Sequence, residues 1–192
     1  MVLPVLKYGH PVLRKKGVRI ETIAAEIQQL VADMFETMYA ARGVGLAAQQ
    51  VGQSLQLTVI DVRGVKDRPS QLWLKGHEAD VASFMPLVLI NPMVKPMGKP
   101  VKGAEGCLSF PEIYADIERP GEVDVIAQNE RGESFSFRAG GLLGRAIQHE
   151  TDHLHGILYI DRMDSASLDE VKEELAQLQA ETKQGLSASR AR

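Results

Sequence analysis

Residues 148–153 read QHETDH, and this stretch decides the fold as well as the chemistry open to the chain. His149 and His153 stand four residues apart, so on an α-helix they lie on the same face. Glu150 places a carboxylate beside the first imidazole. Two histidines and an acidic residue in this pattern are typical of a helix that binds a catalytic metal ion. We therefore predict a metal-binding helix with the rest of the fold packed around it.

A catalytic metal of this kind usually has a third protein ligand. One large class of zinc proteases supplies it as a histidine that follows a glycine, but here Tyr159 stands at that position after Gly156. His155 points about 200 degrees around the helix from His153 and is a poor candidate. Cys107, the only cysteine, is a better one because a thiolate binds zinc or ferrous iron strongly. We therefore predict a site of one cysteine and two histidines.

The same residue types also have a simpler interpretation that needs no metal. Buried histidines can be structural, with both ring nitrogens hydrogen-bonded, and a buried cysteine is often only a small apolar side chain. We favour this interpretation for His10 and His77. For Cys107, His149 and His153 together we favour the metal site, because a buried helix that carries two histidines and a glutamate needs partners for them.

The composition is that of an ordinary globular protein, with 192 residues, 44% hydrophobic and 24% charged. This length suggests one domain. No run approaches the roughly 18 apolar residues of a membrane span, and residues 1–16 lack the layout of a secretion signal. We therefore expect a cytoplasmic protein with no membrane partner. The net charge of −3 argues against general nucleic-acid binding, and a single cysteine excludes an internal disulfide.

The apolar pattern predicts an α+β fold, in which antiparallel sheets pack around the central metal-binding helix and a further helix lies at each end. A helical period over residues 21–41 indicates an amphipathic N-terminal helix. Residues 55–62 and 86–93 are rich in residues that favour strands. Residues 63–85 mix glycine, proline and charged residues, so we expect a mobile surface loop anchored by Trp73.

Two further patterns complete the predicted organisation. Residues 123–137 predict a strand hairpin that turns at residues 129–132. Residues 165–184 carry apolar residues at helical spacings, so we expect a helix packed on a catalytic domain formed by residues 1–164. We expect residues 185–192 to be a disordered tail.

Three short motifs, taken in their order along the chain, resemble those of the peptide deformylase family. Residues 43–50 read GVGLAAQQ, residues 105–109 read EGCLS and residues 149–153 read HETDH. The likeness covers roughly the first 165 residues. It implies a metal-dependent hydrolase that removes the formyl group from N-formyl-methionyl nascent polypeptides and releases formate. The implied cofactor is one Fe²⁺ ion, although Zn²⁺, Ni²⁺ or Co²⁺ could bind the same ligands.

The resemblance also implies a role for individual residues. Glu150 would accept a proton from water and return it to the departing amine. The side-chain amide of Gln50 and the backbone N–H of Leu108 would stabilise the oxyanion, and one such donor is worth roughly 3 kcal/mol. Gly45 would keep the backbone open where the substrate passes.

A pocket beside the metal should accept the methionine side chain of the substrate. We expect Val44, Leu142 and Ala146 to line this pocket together with His149. We expect Arg145, a neighbour of these residues on the helix, to point towards solvent.

Three charged residues should support the metal site. We expect Asp152 to pair with Arg119, which stands in a comparable place in the family, and so to tie the sheet to the metal helix. Glu105 stands next to the turn that presents the cysteine, and we expect it to bond a backbone amide or a ligand imidazole.

The substrate raises the question of ribosome contact. In some family members the last helix is basic and contacts the ribosome, whereas acidic residues outnumber basic ones over residues 165–184. A transient ribosome contact is expected, but this composition argues against docking on ribosomal RNA through that helix.

Two other classes of function share the predicted residues. A zinc endopeptidase would use the same glutamate and histidines in an extended cleft. A non-catalytic metal-binding protein would hold the metal without hydrolysing an amide.

Overall fold

One antiparallel sheet and five helices make up residues 1–190, the part of the chain that the computed structural model describes. The strands are β1 (Gly45–Ala47), β2 (Leu57–Ile60), β3 (Ser70–Leu74), β4 (His77–Glu78), β5 (Leu87–Cys107), β6 (Phe110–Gln128) and β7 (Ser134–Gly140). The helices are α1 (Ala25–Ala40), α2 (Val81–Phe84), α3 (Gly141–Leu154), α4 (Ser165–Glu170) and α5 (Lys172–Arg190). The strands are ordered β1-β2-β5-β6-β7-β3-β4 across the sheet. The predicted α+β class is confirmed, with one sheet in place of several.

The metal-binding helix α3 lies at the centre of the fold. It packs against β1, β2, β3, β6 and β7, and residues 142–154 are all buried. Gly144 allows the closest approach to the sheet, because a Cβ atom there would lie 3.0 Å from the carbonyl oxygen of Ala139 on β7. Gly144 at the start of this helix thus permits close backbone packing.

β5 is much longer than the strand predicted at residues 86–93, because it runs on from Leu87 to Cys107 and pairs with β6. β2 pairs only with the first residues of β5, Leu87 to Ile90. Among the described residues, the rest of β5 is paired on one side only, by β6. A proline cannot donate to a sheet ladder but is tolerated where one edge is free, which accounts for Pro96 and Pro100 within the strand.

The segment predicted as an irregular loop, residues 63–85, contains β3, β4 and α2. β3 pairs with β7, and Trp73 stands opposite Arg138 in that register. The prediction of a loop was wrong for this part of the chain because β3 is specified by a partner distant in sequence. The hairpin of β6 and β7 is confirmed, with Val125 opposite Phe137.

The C-terminal region departs from its prediction in two ways. A break at Val171 divides the single predicted helix into α4 and α5. α5 then continues through Gly185 to Arg190, where a disordered tail was predicted from residue 185. One exposed glycine costs about 1 kcal/mol in a helix, and good helix formers on both sides offset that cost. Residues 191 and 192 of the predicted tail lie outside the described residues.

Three clusters of apolar side chains form the core. The first lies between the sheet and α3, and the second lies between α1 and the strands β1, β2 and β5. The third brings the two ends of the chain together around the start of β6 and includes Leu13, Phe110 and Leu175. None of the helices within residues 1–190 is both long and apolar enough to cross a lipid bilayer.

Candidate active site

Cys107, His149 and His153 converge where the end of β5 meets α3. One candidate ligand atom from each residue lies within 4.8 Å of the others, and Cys107 Sγ is 3.3 Å from His153 Nε2. Both histidines are buried and the cysteine is half-buried. His155 lies outside this cluster, with its Nδ1 atom 2.8 Å from the carbonyl oxygen of Thr151. The three residues that the sequence singled out as ligands therefore form a cluster that can hold a metal ion.

Glu105 orients the first histidine of this cluster. Its Oε2 atom lies 2.9 Å from His149 Nδ1, which leaves Nε2 of that imidazole free to act as a ligand. Of the two partners predicted for Glu105, a backbone amide or a ligand imidazole, the structure selects the imidazole.

Arg119 ties the sheet to the metal helix, as predicted. Its guanidinium donates to both carboxylate oxygens of Glu105, at 2.6 and 3.0 Å, and to Asp152 Oδ2 at 2.8 Å. Asp152 also accepts two hydrogen bonds of 2.6 Å from Arg162. The side chain of Arg119 is only 3% exposed, so this network is shielded from water and screened little by salt.

Arg145 does not point towards solvent, contrary to its prediction. Its Nη1 atom donates to Glu105 Oε1 at 2.9 Å and to the carbonyl oxygen of Ile117 at 2.8 Å. Its Nη2 atom donates to the carbonyl oxygen of Val101 at 2.6 Å. A guanidinium can be buried when carboxylate and carbonyl oxygens satisfy its donors, and these oxygens come from β5 and β6.

The charges around the cluster favour a bound cation. Burial opposes a charge on His149, but the Cys107 sulfur and the Glu105 carboxylate outweigh it and raise the pKa of that imidazole. Burial lowers the pKa of His153, whose Nδ1 atom is buried and has no hydrogen-bond partner among the described residues. A metal ion would replace the proton that His149 attracts and would bind Nε2 of His153, the ring nitrogen that faces the cysteine. The donor set therefore fits a divalent cation.

Glu150 follows His149 directly on α3 and is buried. Burial raises the pKa of its carboxyl group to about 7. Its Oε2 atom is buried and has no hydrogen-bond partner within residues 1–190. Gly45 of β1 packs directly against it, since a Cβ atom there would lie 2.8 Å from both Cγ and Cδ of Glu150.

Gln50 approaches the cysteine from the opposite side, in a 3₁₀ turn at Ala48–Val51. The backbone N–H of Ala47 donates to Gln50 Oε1 at 2.8 Å, which fixes the direction of the amide. The Nε2 atom consequently lies 3.5 Å from Cys107 Sγ and 3.2 Å from Ser109 Oγ. Leu108 stands between these two residues in the turn that joins β5 to β6.

A cleft of about 510 Å³ opens above the cluster and brings the predicted site residues together. Nine of them line it, namely Val44, Gly45, Gln50, Cys107, Leu108, Leu142, Ala146, His149 and Glu150. His153 is absent from this lining and is almost fully buried. Lys7 and Tyr114 also line the cleft, although no sequence pattern selected either of them. Lys7 stands in no motif, so only the folded arrangement places its ammonium 2.8 Å from the carbonyl oxygen of Leu108.

Comparison with known sequences gives the same family by two routes, a family model and an individual relative. The family described as polypeptide deformylase matches residues 2–169, a range that includes every residue of the site. A curated peptide deformylase from Methylacidiphilum infernorum is 46% identical over 178 residues, which are 93% of this chain and 93% of that protein.

Comparison with solved structures agrees. The crystal structure of the peptide deformylase from Thermus thermophilus is similar with a TM-score of 0.78 and 35% identity, covering 94% of this chain and 99% of that one. A peptide deformylase from Synechococcus elongatus, solved in complex with actinonin, has a TM-score of 0.76 and 39% identity over 90% of this chain and 85% of that one.

Proposed function

The chain belongs to the peptide deformylase family, and from this premise we propose which residues carry out each step of the reaction. The protein is a metal-dependent hydrolase that removes the formyl group from the N terminus of newly made polypeptides. One observation carries the assignment of roles. Glu150 and Gln50 line one cleft together with Cys107 and His149, and the Gln50 Nε2 atom lies 3.5 Å from Cys107 Sγ.

Cys107, His149 and His153 would hold one divalent cation, and we propose that it is Fe²⁺. When bound, the cation supplies the Lewis acidity that makes water a nucleophile near neutral pH and polarises the formyl oxygen. A thiolate with two imidazoles also suits Zn²⁺, Ni²⁺ or Co²⁺, so the choice of metal requires a direct comparison of activities.

Glu150 would carry the proton. Its carboxylate takes a proton from the attacking water as the new C–O bond forms at the formyl carbon. It then gives that proton to the amine as the C–N bond breaks, which releases formate and a free N terminus. A pKa of about 7, raised by burial, suits a group that must accept and donate a proton near neutral pH.

Gln50 and Leu108 would stabilise the oxyanion that forms on the formyl oxygen. The Ala47 hydrogen bond holds the Gln50 amide so that its N–H donors, and not its oxygen, face the cysteine. The backbone N–H of Leu108 would be the second donor, from the turn beside the same cysteine. One such donor is worth roughly 3 kcal/mol of transition-state stabilisation.

The methionine side chain would enter the apolar part of the cleft. Val44, Leu142 and Ala146 line the cleft beside the metal cluster and would contact that side chain. Gly45 would let the substrate backbone pass close to β1. These positions supply apolar surface without a charged side chain of their own, which fits an unbranched thioether.

The substrate also suggests where the enzyme works. Formylated nascent chains emerge from the ribosome, so we propose a cytoplasmic enzyme that contacts the ribosome transiently and requires no specific nucleic acid and no membrane. The acidic residues of α5, including Glu173, Glu174 and Glu181, make this helix a poor partner for RNA phosphates.

The first test is formate release from a formyl-Met-Ala-Ser peptide. The enzyme is prepared without oxygen and loaded in parallel with Fe²⁺, Ni²⁺ or Zn²⁺, with the metal content measured in each sample. We expect turnover by the wild-type enzyme, fastest with Fe²⁺. Glu150→Gln should reduce kcat by about 10²- to 10⁴-fold, since it removes the proton carrier and leaves the three ligands intact.

Glu118→Gln is the matched control, because Glu118 is an exposed glutamate on β6 that does not line the cleft. It should turn over like the wild type. Full activity of a metal-loaded Glu150→Gln variant would contradict the proposed role of Glu150. Cleavage of casein without formate release would instead indicate an endopeptidase. If the enzyme showed neither activity with any stoichiometrically loaded metal, its role would be metal binding alone.

A further inference from the structure

A short segment near the N terminus, residues 6–8, links the two parts of the chain that carry the proposed oxyanion donors. The backbone N–H of Leu6 donates to the carbonyl oxygen of Gln50 at 2.8 Å. The ammonium group of Lys7 donates to the carbonyl oxygen of Leu108, also at 2.8 Å. We call residues 6–8 the N-terminal strap, because they connect two donors that are otherwise far apart in sequence.

The N-terminal strap is itself held firmly. The backbone N–H of Tyr8 donates to the carbonyl oxygen of Ser109 at 2.9 Å, and the Tyr8 ring stacks on Phe110 with ring centroids 4.9 Å apart. Leu6 and Tyr8 both pack against the third apolar cluster. Lys7 therefore extends from a segment that is fixed on both sides of it.

The turn that Lys7 contacts is short. Leu108 and Ser109 are its two residues, and the flanking Cys107 and Phe110 pair across it. Ser109 accepts from the backbone N–H of Tyr8 and from Gln50 Nε2, whereas Lys7 is the donor to the carbonyl oxygen of Leu108. In so short a turn the orientations of successive peptide groups are coupled, so fixing the carbonyl of Leu108 also restricts its N–H. A hydrogen bond from a charged donor is stronger than a neutral one, and half-burial of Lys7 keeps part of the surrounding water away.

We propose that Lys7 is a positioning residue for oxyanion stabilisation, holding the Leu108 turn at a fixed separation from Gln50. This inference rests on the proposed function, in which Gln50 and Leu108 are the donors. Donors of this kind act on charge that develops only in the transition state, so a loss of alignment lowers kcat and leaves KM almost unchanged. Lys7 also lines the cleft, and a role in substrate binding would instead raise KM.

The test compares Lys7→Met with Lys7→Arg in the metal-loaded enzyme on formyl-Met-Ala-Ser. Lys7→Met keeps an apolar stem but removes the donor, and we expect kcat to fall about tenfold, less than the 10²- to 10³-fold loss from removing a whole donor. KM, metal content and Tm should stay at the wild-type values. Lys7→Arg keeps a charged donor and should restore kcat to within about threefold of the wild type.

Lys16→Met is the matched control, since Lys16 is an exposed lysine in the same part of the chain, and its kinetics should not change. The proposal is overturned if Lys7→Met leaves kcat within twofold of the wild type, raises KM instead, or loses metal or thermal stability. It is equally overturned if folded, metal-loaded Lys7→Arg is as slow as Lys7→Met. The Gln50→Ala variant distinguishes an error in the proposed donors from an error in the proposed role of Lys7. An unchanged kcat there would refute the proposed donors, whereas a lowered kcat with normal Lys7→Met turnover would refute only the role of Lys7.

Discussion

At the scale of single residues, Gly45 shows most directly how the backbone constrains the proposed proton carrier. A Cβ atom at this position would lie 2.8 Å from two carbon atoms of Glu150, much closer than non-bonded carbons approach. The sequence suggested that Gly45 leaves room for the substrate. The structure adds that it leaves room for the Glu150 side chain.

Gly45→Ala should therefore impair catalysis through Glu150. The added methyl group must push the carboxylate aside, and a displacement of about 1 Å at a reacting group can reduce the rate about 100-fold. We expect kcat to fall by about that factor in steady-state assays, with metal content unchanged because the three ligands are not displaced.

Gly64→Ala makes the matching control for that substitution. Gly64 is exposed, and a Cβ atom there would meet nothing within 4 Å. Its kinetics should equal those of the wild type. Equal turnover by the two alanine variants would show that Glu150 relaxes without cost and would remove steric exclusion as the reason for Gly45.

At the scale of elements, the buried guanidinium of Arg119 joins the three elements that build the site. Arg119 on β6 bonds Glu105 on β5 and Asp152 on α3. Burying such charges is expensive, and breaking a buried pair by removing one partner is strongly destabilising because the other charge is left uncompensated. The network therefore holds the ligand-bearing elements together only while it is complete.

Arg119→Met should destabilise the fold by about 3 kcal/mol in equilibrium urea unfolding, because Glu105 and Asp152 each lose a buried partner. Metal affinity should fall about 10- to 100-fold, since Glu105 would orient His149 less well. Arg138→Met is the control, because Arg138 pairs with Asp124 at an exposed position, where water screens the pair and it contributes little to stability. Similar stability losses in the two variants would refute a special role for the buried network.

The elements that the sequence predicted well are those whose signals are local. Ligand spacing and apolar periodicity in α3 lie within 14 residues, and the hairpin of β6 and β7 is indicated by its own turn. β3 was missed because it is specified by a distant strand, with Gln71 opposite Gly140. Its own residues, between two charged stretches, carry no clear alternation.

The same rule holds for the site, where residues with a local sequence pattern were predicted and residues that only the fold brings together were not. The proposed metal ligands and Glu150 stand in motifs with a recognisable spacing, so the sequence alone could nominate them. Helical periodicity indicated that the helix is buried, but it could not indicate that Glu105 and three strand carbonyls would surround Arg145. Lys7 lies 101 residues from the carbonyl that it contacts, and no local pattern encodes that distance.

At the scale of the whole molecule, the third apolar cluster joins both ends of the chain to the base of the site. Leu13 from the N-terminal region and Leu175 from α5 belong to the same apolar cluster as Phe110, the first residue of β6 after the Leu108 turn. We therefore infer that α5 is part of the catalytic domain's core and not an independent appendage.

Leu175→Ala tests that inference. Leu175 is 7% exposed, so truncation removes buried apolar surface and leaves a cavity between α5 and the N-terminal region. Urea unfolding should show a loss of about 2 to 4 kcal/mol. Leu168→Ala on the neighbouring α4 should cost less than about 1 kcal/mol, because Leu168 is 39% exposed. If both variants lost the same small amount of stability, α5 would contribute little to the core, and its place in the third apolar cluster would not support the turn that carries Leu108.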